Sequence, residues 1–221
     1  MAASKAIAVI ASGSMQQKAC LRDALLPRLD QASSLLREVA SSCLSRSLAH
    51  DLVVDGDFTR IFRVMRSEDA RVREPIIAEL QAYIQETDET GRRRLVDARV
   101  LPEILQAYTP AKDDLLDFMS GCLLPLLGPS FTQDNGGATL FPLLTHNEQR
   151  LRVSAIQALR NAIDSRYGNK ENMAKAAVIG TLHPLTTSDD VICDLWCRIL
   201  PKVAPYLTNR AEIDILFDSL K

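Results

Sequence analysis

Apolar residues recur along this chain with the period of an α-helix. Val72, Ile76, Ile77, Leu80 and Ile84 make one stripe, and Leu151, Ala155, Ile156, Leu159 and Ile163 make another. Each stripe predicts a long amphipathic helix with one buried face. The stripes belong to a phrase that repeats. It reads VREPIIAEL from Val72, LRVSAIQAL from Leu151 and VICDLWCRIL from Val191, with weaker copies at Leu36 (LREVASSCL) and Leu115 (LLDFMSGCL). Successive anchors are 36, 43, 36 and 40 residues apart. A period near 40 marks a solenoid of stacked helices, in which each unit covers its apolar face with its neighbours.

Shorter elements precede each long helix. In RRLVDARVLPEIL, a basic segment runs into Val100-Leu101-Pro102; the junction recurs as TLFPLL with Pro142 and TLHPLT with Pro184. Proline suits the first turn of a helix, where its missing N–H is not needed. Asp57-Phe58-Thr59 opens the equivalent helix without proline. A helix of about two turns is expected after each junction, then a polar break. The breaks are Ser67 to Asp69, Thr109 to Asp113, His146 to Glu148 and Thr187 to Asp189, and their Ser, Thr, Asn and Asp side chains are suited to capping. Residues 129–138, with Pro129, Gly136 and Gly137, read as a loop or a lost helix, and residues 166–170 as another loop. Pro75, Pro125 and Pro201 should kink or end their helices, with Pro75 least costly in a first turn.

This three-helix grammar resembles the armadillo repeat. RRLVDARVLPEIL is similar to that family's junction between helices one and two, and LRVSAIQALRNAI to its helix three; the related HEAT repeat shares much of the pattern. The resemblance implies an all-α, right-handed α-solenoid of about five repeats. Residues 1–17 would be an extension or capping helix. Residues 18–221 would form one repeat domain, with units at about 18–47, 48–88, 89–128, 129–165 and 166–208. A terminal helix at 209–221 would either pack back on the fifth unit or lead into further repeats.

Composition narrows the function. Hydrophobic residues make up 47% and aromatics 5%, which favours close-packed helices over a β-sandwich. A net charge of −2 lacks the basic excess of a general nucleic-acid binder. The apolar run Ala6 to Ala11 is too short for a secretory leader, and no run approaches a bilayer span. Five scattered cysteines read as buried free thiols of a reducing compartment, cytoplasmic or nuclear. Cys193 and Cys197 share a helix face, but no nearby Cys/His pair completes a zinc site, so no metal or other cofactor is expected.

Catalytic motifs are absent: the chain has no GxSxG, P-loop, GxGxxG or HExxH. His50, His146 and His183 fall in three different repeats. Arg60, Arg63, Arg66, Arg71, Arg73 and the run Arg92 to Arg94 read as a solvated face paired with Glu68, Asp69, Glu74 and Glu89. The competing reading is a patch for acidic peptide, phosphate or RNA backbone.

Armadillo proteins line their concave groove with third helices, and the family's import adaptors place a Trp and an Asn there. Aligned on the anchors, the corresponding pairs here are Ser42/Arg46, Ala78/Ala82, Gly121/Pro125, Gln157/Asn161 and Cys197/Pro201. Only Asn161 matches, so the adaptors' grip on an extended basic peptide is not expected. One turn earlier the ladder reads Val39, Pro75, Phe118, Ser154 and Asp194, with Phe118 as an anchor. The expected function is a non-catalytic, monomeric protein-interaction scaffold that takes a partner peptide or helix in this groove. The alternatives are a HEAT-like module for a cytoskeletal or transport partner and a HEAT-like DNA glycosylase. The glycosylase would need a basic, aromatic groove; a deep pocket joining His183 to Cys193 or Asp194 would favour an enzyme, hydrolase or glycosylase.

Overall fold

The computed structural model describes residues 46–135, 137–165, 169–176, 178–186 and 190–218, and single positions 14, 16, 17, 20, 23 and 24. Val39 and Ser42, the first repeat's anchor, and nearly all of the expected extension at 1–17 lie outside the described residues. Among the described residues every regular element is helical. The α-helices are α1 (Arg46–Asp55), α2 (Phe58–Met65), α3 (Ala70–Glu86), α4 (Glu89–Asp97), α5 (Val100–Ala107), α6 (Asp113–Phe118), α7 (Leu124–Asn135), α8 (Gln149–Asp164), α9 (Lys170–Lys175), α10 (Val178–Leu182), α11 (Asp190–Val203) and α12 (Arg210–Asp218). The anchors Val72, Leu115, Leu151 and Val191 fall in α3, α6, α8 and α11. The protein is an all-α helical repeat.

The chain divides into two compact units, Met1–Thr87 with Ala98–Phe118 and Asp88–Asp97 with Met119–Lys221. In the first, α1 packs on α2 and α3, α2 on α5, and α3 on α6. Leu52, Ile61, Ile76, Leu80, Leu101, Ile104 and Leu115 fill its interior. The sequence DGDF makes the corner between α1 and α2. Gly56 adopts a left-handed conformation (φ 71°), and the N–H groups of Gly56 and Asp57 donate to the carbonyls of Val53 and Leu52. That is a Schellman ending, open to glycine at little cost. Asp57 then caps α2 through the Arg60 N–H, and Asp69 caps α3 through the Arg71 N–H at 3.0 Å.

Two buried cations link the repeats of this unit. Arg73 is 1% exposed, and its guanidinium grips the Asp114 carboxylate with two bonds of 2.7 and 2.6 Å. It also donates to the Ser67 carbonyl at 2.5 Å. Lys112 donates to the carbonyls of Ala107 and Arg66 and pairs with Glu68 at 2.8 Å. A buried charge persists when every donor finds a partner, and a planar guanidinium meets a carboxylate with two parallel bonds. The solvated arginine face is therefore corrected at Arg73, and Glu68 serves Lys112. The exposed Arg71 pairs with Asp69, as the face predicts.

In the second unit α4 packs on α7, α7 on α8, α8 on α11, α9 on α7 and α11, and α12 on α10. Leu123, Leu127, Leu151, Leu159, Ile163, Leu195 and Ile199 are fully buried, each worth about 1.5–3 kcal/mol of transfer free energy. Glu89 of α4 accepts hydrogen bonds from Ser130 (3.0 Å) and Gln133 (2.7 Å) of α7.

Several local expectations change. The loop expected at 129–138 is mostly helix, because α7 runs through Pro129 to Asn135. The two-turn helix forms after Pro102, but the segments at Pro142 and Pro184 are short 3₁₀ turns, Phe141–Thr145 and His183–Leu185. Pro75 sits inside α3 rather than in its first turn. Pro125 follows a π-helical turn, Met119–Leu123. A π turn is wide enough to relieve the clash a proline ring makes with the preceding turn. The stretch Asp113–Gln133 is long and apolar enough to cross a membrane by length and composition, contrary to the expectation, and most of it is buried within the protein.

Candidate functional site

The repeat register can be tested helix by helix. Counted from the anchor, positions +4, +5, +8 and +12 are buried in α3 (Ile76, Ile77, Leu80, Ile84), in α8 (Ala155, Ile156, Leu159, Ile163) and in α11 (Leu195, Trp196, Ile199, Val203). The candidate groove positions, +3, +6 and +10, then fall on the opposite face. In α8 Gln157 is exposed and Ser154 and Asn161 are half-buried; in α11 Asp194, Cys197 and Pro201 are all exposed. Gly121, in the π-helical turn, is exposed as well. In the first unit Pro75 and Ala78 are half-buried. Arg46 opens α1, but its side chain lies outside the described residues.

Two expectations need correction. Phe118 is 0% exposed and belongs to the core, so it cannot anchor a partner. Its +3 position borders the buried face, where the side chain decides: a large apolar ring turns inward, while Ser154 and Asp194 stay outside. The anchor of α11 also shifts, since Val191 is 47% exposed and Ile192 only 3%.

In the second unit only Gly121 and Ser154 of these candidates line a shallow depression of about 310 Å³, together with Ser120, Gln149, Arg150 and Val153. Val153 is 56% exposed at its edge. A side chain at Gly121 would meet nothing within 4 Å of its Cβ. Hydrogen bonds hold the surrounding helices in register. Ser154 donates to the Ser120 carbonyl at 3.0 Å, Asn161 to the Pro125 carbonyl at 3.5 Å, and Gln157 to the Asn161 side chain at 2.8 Å. Asn161, the one match to the import-adaptor asparagine, thus already has partners within the protein. Asp194 receives Arg160 at 2.5 Å and Arg198 at 3.2 Å. Lys202 bonds Asp164, and that contact holds the Asp164 carboxyl below its usual range.

The first unit carries its own depression of about 480 Å³ between α1 and α3, lined in part by Val54, Glu79, Ala82 and Tyr83. His50 and Glu79 meet there at 3.2 Å.

His183 opens the 3₁₀ turn His183–Leu185. Its ring lies against Trp196, with centroids 5.4 Å apart. Burial, followed by the neighbouring Cys197, pushes the Cys193 thiol up, opposite to what a nucleophile needs. Among the described residues no three His, Cys, Asp or Glu side chains converge as metal ligands. The thiols differ from expectation: Cys122 is buried, Cys193 half-buried, and Cys20 and Cys197 exposed, while Cys43 lies outside the described residues.

Sequence reasoning missed one repeated device. Arg152 donates to the His146 carbonyl at 2.7 Å and the Asn147 carbonyl at 3.0 Å, as Arg73 does to Ser67. Each arginine follows an anchor directly (VR at 72–73, LR at 151–152) and reaches back over the break before its helix. The signal was in the repeat itself.

No family model matches the chain, and no curated protein matches it in sequence. Solved structures similar to it include an engineered protein from the Northeast Structural Genomics Consortium at 19% identity (TM-score 0.47; 92% of this chain and 90% of that one covered). A second engineered protein from the consortium has 20% identity, a TM-score of 0.48, and coverage of 97% of this chain and 56% of that one. A designed armadillo repeat protein in complex with the peptide (KR)4 has 14% identity, a TM-score of 0.49, and coverage of 90% and 91%.

Proposed function

We propose that this protein is a non-catalytic binding scaffold. Its partner, a peptide or helix of another protein, lies across the exposed faces of α8, α11 and the π-helical turn. The observation that carries this reading is Gly121. Glycine inside a helix costs about 1 kcal/mol relative to alanine. Among the described residues no atom lies within 4 Å of where its Cβ would stand, and that space opens onto a depression edged by exposed Val153. A small residue at such a place lets a partner's backbone approach closely, as in helix-in-groove recognition.

The test is a pair of affinity captures from lysate, one with the parent and one with Gly121→Met. The added side chain enters the depression without a clash, so circular dichroism should be unchanged and the melting temperature should not fall. A partner held by the parent and lost by the variant supports the reading. Retention of the same partners by a folded Gly121→Met protein would overturn it.

A further inference from the structure

Cys193 and Cys197 are free thiols on α11, one turn apart on the same face. Residues four apart in a helix hold their Cβ atoms about 5–6 Å from each other, so the backbone itself fixes this pair. Cys197 is exposed, which leaves the pair open to an incoming ion. Of the carboxylates beside them, Asp194 is held by Arg160 and Arg198.

We propose that Cys193 and Cys197 form a two-sulfur clip for a soft monovalent ion of the copper group. Thiolates select soft ions. Zinc asks for four ligands, and among the described residues no third His, Cys, Asp or Glu joins the pair. A monovalent copper-group ion is satisfied by two sulfurs facing each other. Both S–H bonds break, two metal–sulfur bonds form and both protons leave to solvent. No electron is transferred, so the ion must arrive in its monovalent state. One positive charge gained against two protons lost leaves this face of α11 one unit more negative. Because the ion displaces thiol protons, binding strengthens as pH rises toward the thiol range.

The experiment is an anaerobic titration of the folded chain carrying Cys20→Ser and Cys43→Ser, with Ag(I) and with Cu(I) competed against bathocuproine disulfonate. One tightly held ion per chain is expected. Cys193→Ser or Cys197→Ser should each weaken it by about 100-fold or more, since the second sulfur then binds with no help from the first. A loss of under threefold in either variant would overturn the clip, as would loss of the ion on Cys122→Ser. Mass spectrometry after N-ethylmaleimide gives a check without altering the pair. The bound ion should shield both thiols together, and shielding of only one would also overturn the proposal. Readouts are metal stoichiometry and thiol protection, independent of whether the same face binds a protein partner.

Discussion

Gly121 and Gly128 lie close together in the chain, yet they meet opposite surroundings. At Gly128 the backbones of α7 and α8 touch. A Cβ built there would stand 2.7 Å from the Ala158 carbonyl oxygen and 2.9 Å from the Ala158 Cα. At Gly121 a Cβ would meet nothing within 4 Å. The first glycine lets two of the protein's own helices close on each other. The second leaves space that none of the described residues fills. Small residues in a helical repeat therefore have two meanings, internal packing and external access. The neighbours separate them, not the residue type.

The closed end should be costly to disturb. Leu159 is fully buried beside Ala158, and its Cδ2 would lie 3.2 Å from a Cβ on Gly137. Leu159→Ala should cost about 2–5 kcal/mol in denaturant unfolding; a neutral result would remove Leu159 from the core. Gly128→Ala should cost about 1–3 kcal/mol, because the atoms it strikes are backbone and cannot swing aside. An unchanged melting temperature would show that α7 and α8 do not approach so closely. At the open end Gly121→Ala should instead stabilise, by about 0.5–1 kcal/mol, as a better helix former with no clash. Destabilisation there would mean that the space is filled by the protein itself.

The smallest effect concerns α12, which packs on α10. Glu212 is 4% exposed. Burial pushes its carboxyl up, partly opposed by hydrogen bonds from the backbone N–H groups of Gly180 and Ile179. A carboxyl raised in the folded state binds its proton more tightly there. Its contribution is therefore complete below the usual glutamate range and is lost as pH rises through the raised value. Amide exchange of α12, corrected for intrinsic rates, should slow as pH falls from 7 toward 4.5, and Glu212→Gln should flatten that dependence. Equal slopes in both proteins would count against it.

Much of the fold was legible in single residues. The stripes from Val72 and from Leu151 are buried throughout, Asp69 caps α3 at the polar break read there, and Asp57 caps α2 where a helix opening was read. Phe118 was misplaced because periodicity assigns an angle around the helix, and at a border angle the size of the side chain settles the direction. Residues 129–135 were misread because proline and glycine break helices only on average, and the packing of α7 against α8 overrides that preference. Arg73 looked like surface because charge predicts water until a partner such as Asp114 is supplied from forty-one residues away.

The sequence alone determined the all-helical class, the spacing of the helix anchors and the inward faces of α3 and α8, since these follow from helical geometry and the gain from burying apolar surface. Tertiary structure alone decided which glycine is packed and which is open, that Arg73 and Lys112 are buried, and that Cys197 stands in solvent. Each of those depends on which residues from a neighbouring repeat arrive at that point, and local spacing carries no information about that distance.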